Sequence, residues 1–257
     1  MVQNIRRVNI CNIPVDAITM KQAIETIDDA IQRNEHIQHC ALNAAKLVHA
    51  LKDEPLRKSI IESDIITADG KSIVWASKLL RQPVPERVTG IDLMQNLVKL
   101  ASKRNYKIFL FGAEEYVVKK VVKKYSDLYG PQIIAGYRNG YYTKEEEPGI
   151  ARSIADSGAD MLFVAITSPK KETFLNSYDE LTRIPFTMGV GGSFDVIAGI
   201  VKRAPVWMQN MGLEWLFRVI QEPSRMWKRY LTTNTAFVFL ILKELVFPGQ
   251  PQKSEYK

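Results

Sequence analysis

Four stretches of the chain place reactive side chains near the ends of apolar runs or the starts of predicted helices, and the first carries a carboxylate. In SDIITADGKS (63–72) the apolar run ends at Thr67 and the chain continues into Asp69 and Gly70. Asp before Gly is a common turn pair, so Asp69 could simply cap the helix that follows. A carboxylate exposed at this position could equally act as a general base. The pattern leaves both interpretations open.

Cationic side chains occupy comparable positions. Arg87, in PERVTGIDL, precedes a predicted helix, where a guanidinium and the helix dipole together suit a phosphate. Lys170 and Lys171 follow the apolar run DMLFVAI at the start of another helix, although lysine is disfavoured at the positive end of a helix. The lysines therefore indicate either a negatively charged ligand or a flexible exposed pair. Arg87 indicates either a phosphate site or a solvated surface residue.

A glycine-rich turn, MGVGGSFDVIAG, follows a further apolar run. Gly191 and Gly192 would let the backbone approach a ligand closely, and Asp195 is placed to accept a hydrogen bond from a sugar hydroxyl or a base. The turn lacks the third glycine of the dinucleotide fingerprint and lies late in the chain, which disfavours NAD. No P-loop, G-x-S-x-G, H-E-x-x-H or D-x-D motif occurs. We expect any phosphate chemistry to rely on Arg, Lys and backbone amides, with no metal and no cofactor.

An alternating series of strands and helices must position these residues. Seven apolar runs are predicted as strands: RVNICNI, IQHCALN, SDIIT, YKIFLFG, QIIAGY, DMLFVAI and IPFTMGVGG. Stretches such as MKQAIETIDDAIQR and GIDLMQNLVKLASKR have apolar residues at helical spacing. Thr19 with Gln22, and Thr89 with Asp92, have the pattern of capping boxes. The alternation predicts an α/β fold with a mostly parallel, doubly wound, Rossmann-like sheet. Such sheets bind ligands beyond the carboxyl ends of their strands.

The C-terminal part of the chain has a different character. Strand signals stop after about residue 205, and the rest is predicted to be helical with a break at Pro223. We therefore predict an α/β core over 1–205 and a helical appendage over 206–257. The stretch 202–230 holds three of the four tryptophans, with six basic residues against two acidic ones. Such a segment suits either a bilayer interface with its anionic groups or packing against the core.

Composition limits the kinds of partner. A net charge of +7 and a pI near 9.3 favour an anionic partner: nucleic acid, a phosphorylated small molecule or an acidic membrane surface. The two cysteines form no disulfide or metal pattern, and no signal peptide or membrane-spanning run is found, so a cytosolic location is expected. One alternative is a basic nucleic-acid-binding protein, supported by VVKKVVKKYS, although that run is better interpreted as a solvated helix face. Another alternative is an NAD-dependent nucleotide-sugar enzyme.

The motifs TADG, ERVTGIDL, FLFGA, S-P-K-K-E, GVGGSFDVIAG and KRAPVWMQNMGLEWLFRVIQEPSRMWKRY occur in this order. Together they resemble the WecG/TagA/CpsF glycosyltransferase family (glycosyltransferase family twenty-six), from about residue 8 to about residue 240. The resemblance implies an inverting, metal-independent transfer from a UDP-sugar to a polyprenyl-diphosphate-linked saccharide. It also implies a peripheral location on the inner face of the cell membrane, with an appendage that engages the membrane and completes the active site. No nucleic-acid partner is expected, and a homo-oligomer is left open.

The resemblance also implies roles for particular residues. Asp69 matches the proposed catalytic base, and Arg87 a residue that acts near the diphosphate or the acceptor. The remaining positions are expected to bind substrate: Asn43, Thr67, Lys170, Lys171, Gly191, Gly192, Asp195, Arg218, Arg225 and Arg229. The three appendage arginines among them are expected to close over the diphosphate.

Two departures from the pattern concern the donor. Ala41 stands where many relatives have Thr, and Lys171 where many have Gln. Both positions border the expected donor site, so donors of ManNAc, ManNAc-uronate, glucuronate or glucose type all stay open. An extra cation at Lys171 would suit a uronic acid.

Overall fold

The computed structural model describes residues 5–247, apart from the side chains of Asp179 and Arg225. The strands are β1 (Arg7–Ile10), β2 (Ile13–Asp16), β3 (Ile37–Leu42), β4 (Ile65–Ala68), β5 (Ile108–Gly112), β6 (Ile134–Arg138), β7 (Met161–Ala165) and β8 (Phe186–Gly189). The helices are α1 (Met20–Gln32), α2 (Ala44–Ala50), α3 (Glu54–Ile61), α4 (Lys71–Leu79), α5 (Gly90–Arg104), α6 (Glu115–Tyr129), α7 (Glu147–Asp156), α8 (Lys170–Thr182), α9 (Ser193–Ile197), α10 (Val206–Asn210), α11 (Glu214–Gln221) and α12 (Pro223–Val246).

Six strands form one parallel sheet in the order β4-β3-β8-β7-β5-β6. Helices cover both faces, as the sequence of β5 illustrates. Ile108 and Leu110 point to the face that carries α1, α5 and α6, whereas Phe109 and Phe111 point to the face that carries α7 and α8. Alternate residues of a strand face opposite sides of its sheet, so a strand buried on both sides is apolar throughout. The predicted parallel, doubly wound α/β sheet is confirmed.

The first predicted strand is wrong in one respect. RVNICNI is divided by a two-residue turn between β1 and β2, which pair antiparallel. Cys11 and Asn12 form the turn with φ of 50° and 62°, as a two-residue hairpin requires. The alternation of apolar residues continues on both sides of the turn, so hydrophobicity alone did not reveal it. The hairpin packs beside β4, where Asp16 accepts a hydrogen bond from Ile66 N at 2.7 Å.

Side-chain caps fix the starts of two helices near the predicted positions. Thr19 and Gln22 form the predicted capping box of α1. Thr89 caps α5 by accepting from Asp92 N at 3.3 Å. The Asp92 carboxylate does not return to the backbone of Thr89 as a capping box requires. It accepts from the Thr89 hydroxyl at 2.5 Å and from Arg203, which connects the start of α5 to the chain that precedes α10.

Residues 206–247 contain three helices, and Pro223 is the first residue of α12, where a break was predicted. The last residues of the predicted appendage, 248–257, lie outside the described residues. The long helix α12 packs along α2. Its Phe237 and Ile241 are 6% and 5% exposed within a cluster that also contains Leu47 of α2. The C-terminal helices are therefore seated on the α/β core through an apolar contact. No helix within residues 5–247 is long and apolar enough to cross a bilayer.

Candidate active site

The carboxylate of Asp69 lies at the carboxyl edge of the sheet, immediately after β4. Its Oδ1 accepts a hydrogen bond from Gly90 N at 2.9 Å, and its Oδ2 lies 3.4 Å from the donor Asn43 Nδ2. The alternative that Asp69 caps α4 is wrong, because Gly70 is the N-cap residue of α4 and no side-chain hydrogen bond caps that helix. Asp69 instead binds the first amide of α5, across the edge of the sheet. It is half-buried, which leaves it oriented yet open to a ligand.

Asn43 and Thr67 both help to hold this edge, but in different ways. Asn43 is the N-cap residue of α2, where its Oδ1 accepts from Lys46 N at 3.0 Å and its amide group is turned toward Asp69. Thr67 is fully buried, and its hydroxyl donates to Val88 O at 3.2 Å and lies 2.9 Å from His39 Nε2. Thr67 was expected to bind substrate. The structure gives its hydroxyl internal partners and places it beneath the site.

Burial keeps the nearby histidine neutral. His39 is 2% exposed. Burial, with a smaller contribution from the positive charge of Lys46, lowers the pKa of His39 to about 3. A neutral imidazole in this position supports Thr67 through a hydrogen bond and carries no charge at neutral pH.

Two lysines and a glutamate form a buried ion cluster beside this edge. Glu172 Oε1 lies 3.4 Å from Lys46 Nζ and 3.0 Å from Lys171 Nζ, and all three side chains are at most 12% exposed. Burial opposes the charge of Glu172, but the two lysines outweigh it and lower the pKa of that carboxyl. Burial and the neighbouring Lys46 lower the pKa of Lys171. Burial also opposes the charge of Lys46, yet Cys40, Glu172 and Asp69 together raise its pKa.

The two adjacent lysines of the S-P-K-K-E turn therefore have different environments. Lys171 is packed inside, and an added Cβ at Gly189 would meet its Cε at 2.6 Å. Lys170 is exposed, with Nζ 3.5 Å from the centroid of the Tyr142 ring and 3.3 Å from Tyr142 O. The sequence left open a ligand-facing pair or a flexible exposed pair. The structure separates the two residues, and only Lys170 is exposed to solvent.

The glycine turn after β8 is open on one side. Gly191 has a φ of +52°, and an added Cβ there would meet no atom within 4 Å. At Gly192 an added Cβ would lie 3.7 Å from Asp195 Oδ2, so that carboxylate folds back toward the turn. A backbone segment with free space above it suits close approach of a ligand, and it follows the strand next to β3 in the sheet.

Arg87 is connected to the C-terminal helices by an ion pair. Its Nη1 donates to Oε2 of Glu214, the first residue of α11, and the Arg87 side chain is only 11% exposed. The other carboxylate oxygen of Glu214 lies 4.0 Å from Arg203 Nε. Arg203 also makes two hydrogen bonds to Asp92, at 2.6 and 2.7 Å. Arg203, Glu214 and Lys46 were missed by the sequence reasoning, and Asp92 was interpreted only as a capping residue.

The appendage arginines lie further out. Arg218 is exposed in the last turn of α11. Arg229 is exposed on α12. The pKa of His49 on α2 is lowered mainly by the burial of His49 and also by the positive charge of Arg229. The side chain of Arg225 lies outside the described residues. The structure does not bring Arg218 or Arg229 into contact with Asp69, so closure of these arginines over a diphosphate stays a prediction.

Large apolar side chains are exposed on the C-terminal helices and on α4. Trp75 of α4 is 54% exposed and approaches the turn after α10, where an added Cβ at Gly212 would meet its Cη2 at 2.8 Å. The other exposed members on α4 and in 206–247 are Leu79, Val206, Trp207, Met211, Trp215, Ile220, Trp227, Leu231, Val238, Phe239, Leu242, Leu245, Val246 and Phe247. Exposed apolar surface of this extent is typical of an interaction site.

A metal site is not apparent in the part of the chain that the structure describes. Within residues 5–247 no group of three or more His, Cys, Asp or Glu side chains is placed to hold a metal ion. The expectation that no metal or cofactor takes part stays a prediction.

A parallel α/β sheet with a fixed carboxylate at its carboxyl edge is the arrangement in which doubly wound α/β proteins bind ligands. Residues 8–251 match the family model described as "Glycosyl transferase WecG/TagA/CpsF family". The chain belongs to this family and is a glycosyltransferase.

Two curated relatives carry the same name, N-acetylglucosaminyldiphosphoundecaprenol N-acetyl-beta-D-mannosaminyltransferase. The protein of Bacillus subtilis (strain 168) is 38% identical over 212 residues, which is 81% of this chain and 81% of the relative. The protein of Bacillus spizizenii is 35% identical over 190 residues, which is 74% of this chain and 72% of the relative.

Proposed function

We propose that this glycosyltransferase moves a sugar from a UDP-sugar to a saccharide linked to a polyprenyl diphosphate, with inversion at the anomeric carbon. The observation that carries the proposal is the carboxylate of Asp69. It is held by Gly90 N and Asn43 and is half-buried, at the edge where parallel α/β sheets bind ligands. The two relatives support the acceptor class, because their name specifies an acceptor built on diphosphoundecaprenol.

In the proposed reaction Asp69 removes the proton from the acceptor hydroxyl. The acceptor oxygen then forms a bond to the anomeric carbon, while the bond from that carbon to the UDP oxygen breaks. The electron pair leaves with UDP, whose diphosphate carries the additional negative charge. Because displacement occurs in one step, no covalent bond to the enzyme is required.

The departing diphosphate needs positive groups that are already in place. Arg87 is fixed at one end by Glu214 through Nη1, and its remaining guanidinium donors suit phosphate oxygens. Lys170 is an exposed cation at the start of α8, the helix that follows β7. Fixed donors of this kind stabilise developing charge without reorganisation. The amides of Gly191 and Gly192, on an open turn, supply further donors.

We propose N-acetylmannosamine as the transferred sugar. The relatives are named for this sugar, and the charge of Lys171 is already met by Glu172 at 3.0 Å in a buried pair. The uronic acid that Lys171 suggested from the sequence becomes the competing outcome. A panel of radiolabelled UDP-sugars with a diphosphoundecaprenol-linked N-acetylglucosamine acceptor tests the choice. Preference for UDP-ManNAc supports it, and a uronate preference that disappears in Lys171→Gln contradicts it.

We further propose that α4 and the C-terminal helices rest on the cytoplasmic face of the membrane. Trp75, Trp207 and Trp227 are between 47% and 59% exposed, and tryptophan is favoured at bilayer interfaces. Basic residues of the same segments, such as Arg218 and Lys228, would meet anionic headgroups. The triple variant Trp75→Ala, Trp207→Ala, Trp227→Ala should no longer float with anionic vesicles. Tyr116→Ala, at an exposed aromatic on α6, is the control and should float like the wild type.

A further inference from the structure

A chain of four alternating charges connects the start of α5 to the start of α11. Asp92 accepts two hydrogen bonds from Arg203, at 2.6 and 2.7 Å. Arg203 Nε lies 4.0 Å from Glu214 Oε1, and Oε2 of the same carboxylate accepts from Arg87. We name these four residues the clasp. Two acids and two bases leave the clasp without net charge.

The clasp is partly buried, which makes each of its members depend on the others. The side chains of Arg87, Arg203, Glu214 and Asp92 are 11%, 26%, 32% and 34% exposed. Arg203 Nε is buried and has no hydrogen-bond partner within the described residues, so Glu214 Oε1 is the carboxylate oxygen that faces it. A partly buried charge that loses its partner is costly, whereas the exposed pairs of this chain contribute little.

The position of Glu214 also matters for α11. It lies in the first turn of the helix, where an acidic side chain interacts favourably with the helix dipole. The turn that precedes α11 is held from the other side, since Gly212 leaves room for Trp75 and Lys71 of α4. The two contacts connect the start of α11 to α4, which follows Asp69, and to Arg87.

We propose that Glu214 is a positioning residue, which orients Arg87 for the substrate diphosphate while it seats α11 over the active-site edge. This inference rests on the proposed function in one respect, namely that Arg87 contacts the diphosphate. Arg87 donates to Glu214 through Nη1, and among the described residues its Nε and Nη2 have no other hydrogen-bond partner, which leaves them for a phosphate. Arg203 and Asp92 hold Glu214 in turn, and none of these three residues is required to touch the substrate.

A double-mutant cycle separates positioning from a general loss of structure. Glu214→Gln should lower kcat/KM by about tenfold, the size of effect seen for partners that orient a ligand at other sites. In an Arg87→Lys background, which keeps a cation but loses the planar fork, Glu214→Gln should cost less than about threefold, because its target is absent. An equal loss in both backgrounds, or no loss in either, would overturn the proposal.

Two further measurements keep the test independent of folding and of the reaction. Hydrogen exchange of the α11 amides should accelerate in Glu214→Gln but not in Glu222→Gln, which removes the same charge from the other end of α11. Arg203→Lys is a second variant, and its loss of kcat/KM should also become smaller in the Arg87→Lys background. An equal loss in both backgrounds would contradict the proposed role of the clasp. If the wild type fails to transfer sugar, the proposed function is wrong. If hydrogen exchange of α11 is unchanged in Glu214→Gln, the proposal that Glu214 holds α11 in place is refuted.

Discussion

Replacing Asp69 by Asn separates the chemical role of this residue from its structural one. The amide oxygen of Asn can still accept from Gly90 N, now at 2.9 Å. The long contact of 3.4 Å to Asn43 Nδ2 is lost, because two amide NH₂ groups would face each other. A hydrogen bond to a charged group contributes about 1.5–3 kcal/mol. Because this contact is long, its loss should cost the lower end of that range, and Tm should fall by only about 3–6 °C for a chain of this size. Removal of a general base, in contrast, should lower turnover by about 10²–10⁴-fold.

Three assays on Asp69→Asn test this reasoning together. Radiolabel transfer gives turnover, calorimetry gives the Tm, and isothermal titration gives the affinity for UDP, which should be close to that of the wild type. Asp127→Asn is a matched control. The Asp127 carboxylate on α6 is 61% exposed, and among the described ion pairs it contacts only Lys123. Near-normal turnover in Asp69→Asn would reject the base assignment. A large fall in Tm would show instead that Asp69 is mainly structural.

Three other outcomes are expected from the structure. Lys46→Met should lower Tm at neutral pH, because it removes a buried cation that lies 3.4 Å from Glu172. The pKa of Lys46 is raised, so that its charge stabilises the fold below its ordinary pKa. Lys171→Met also removes a partner of Glu172, but it should lower Tm by less because burial and Lys46 lower the pKa of Lys171; melts of both test the contrast, and equal losses would contradict it. Burial opposes the charge of Asp92, but Arg203 and Thr89 outweigh it and lower the pKa of this carboxyl. The stabilising charge is therefore fully present above the ordinary pKa of 3.8 and is lost as the pH falls through the lower folded value. Asp92→Asn should remove part of the acid sensitivity seen in melts below about pH 4, and an unchanged profile would refute this. Phe237→Ala should cost about 3–5 kcal/mol in urea unfolding, since its ring is buried against α2; a loss as small as that of the exposed Phe239→Ala would show that α12 is not seated on the core.

The strands of the sheet were predictable because each is buried on both faces. β5 and β7 have no exposed residue, so their apolar runs stand out from the amphipathic helices around them. The order of the strands was not predictable. β8 lies between β3 and β7, and this contact between the last and the first strand of the parallel sheet depends on packing of residues far apart in the chain.

The candidate site was predicted in part. Asp69, Asn43 and Arg87 stand at strand or helix ends, where turn residues mark the sheet edge, and the first two lie in contact. The partners of these residues were not predictable. Glu214 is 127 residues from Arg87 and Arg203 is 111 residues from Asp92, and nothing in the local pattern of either segment identifies a partner at that separation. The different burial of Lys170 and Lys171 likewise depends on Gly189, on another strand.

The anomeric configuration of the product tests the central claim most directly. The wild-type enzyme is supplied with a UDP-sugar whose anomeric linkage is α and with a diphosphoundecaprenol-linked acceptor, and the product is analysed by NMR. Direct displacement with Asp69 as the base predicts a β linkage, with UDP released in equal amount. An α linkage in the product would contradict a single displacement and with it the role assigned to Asp69.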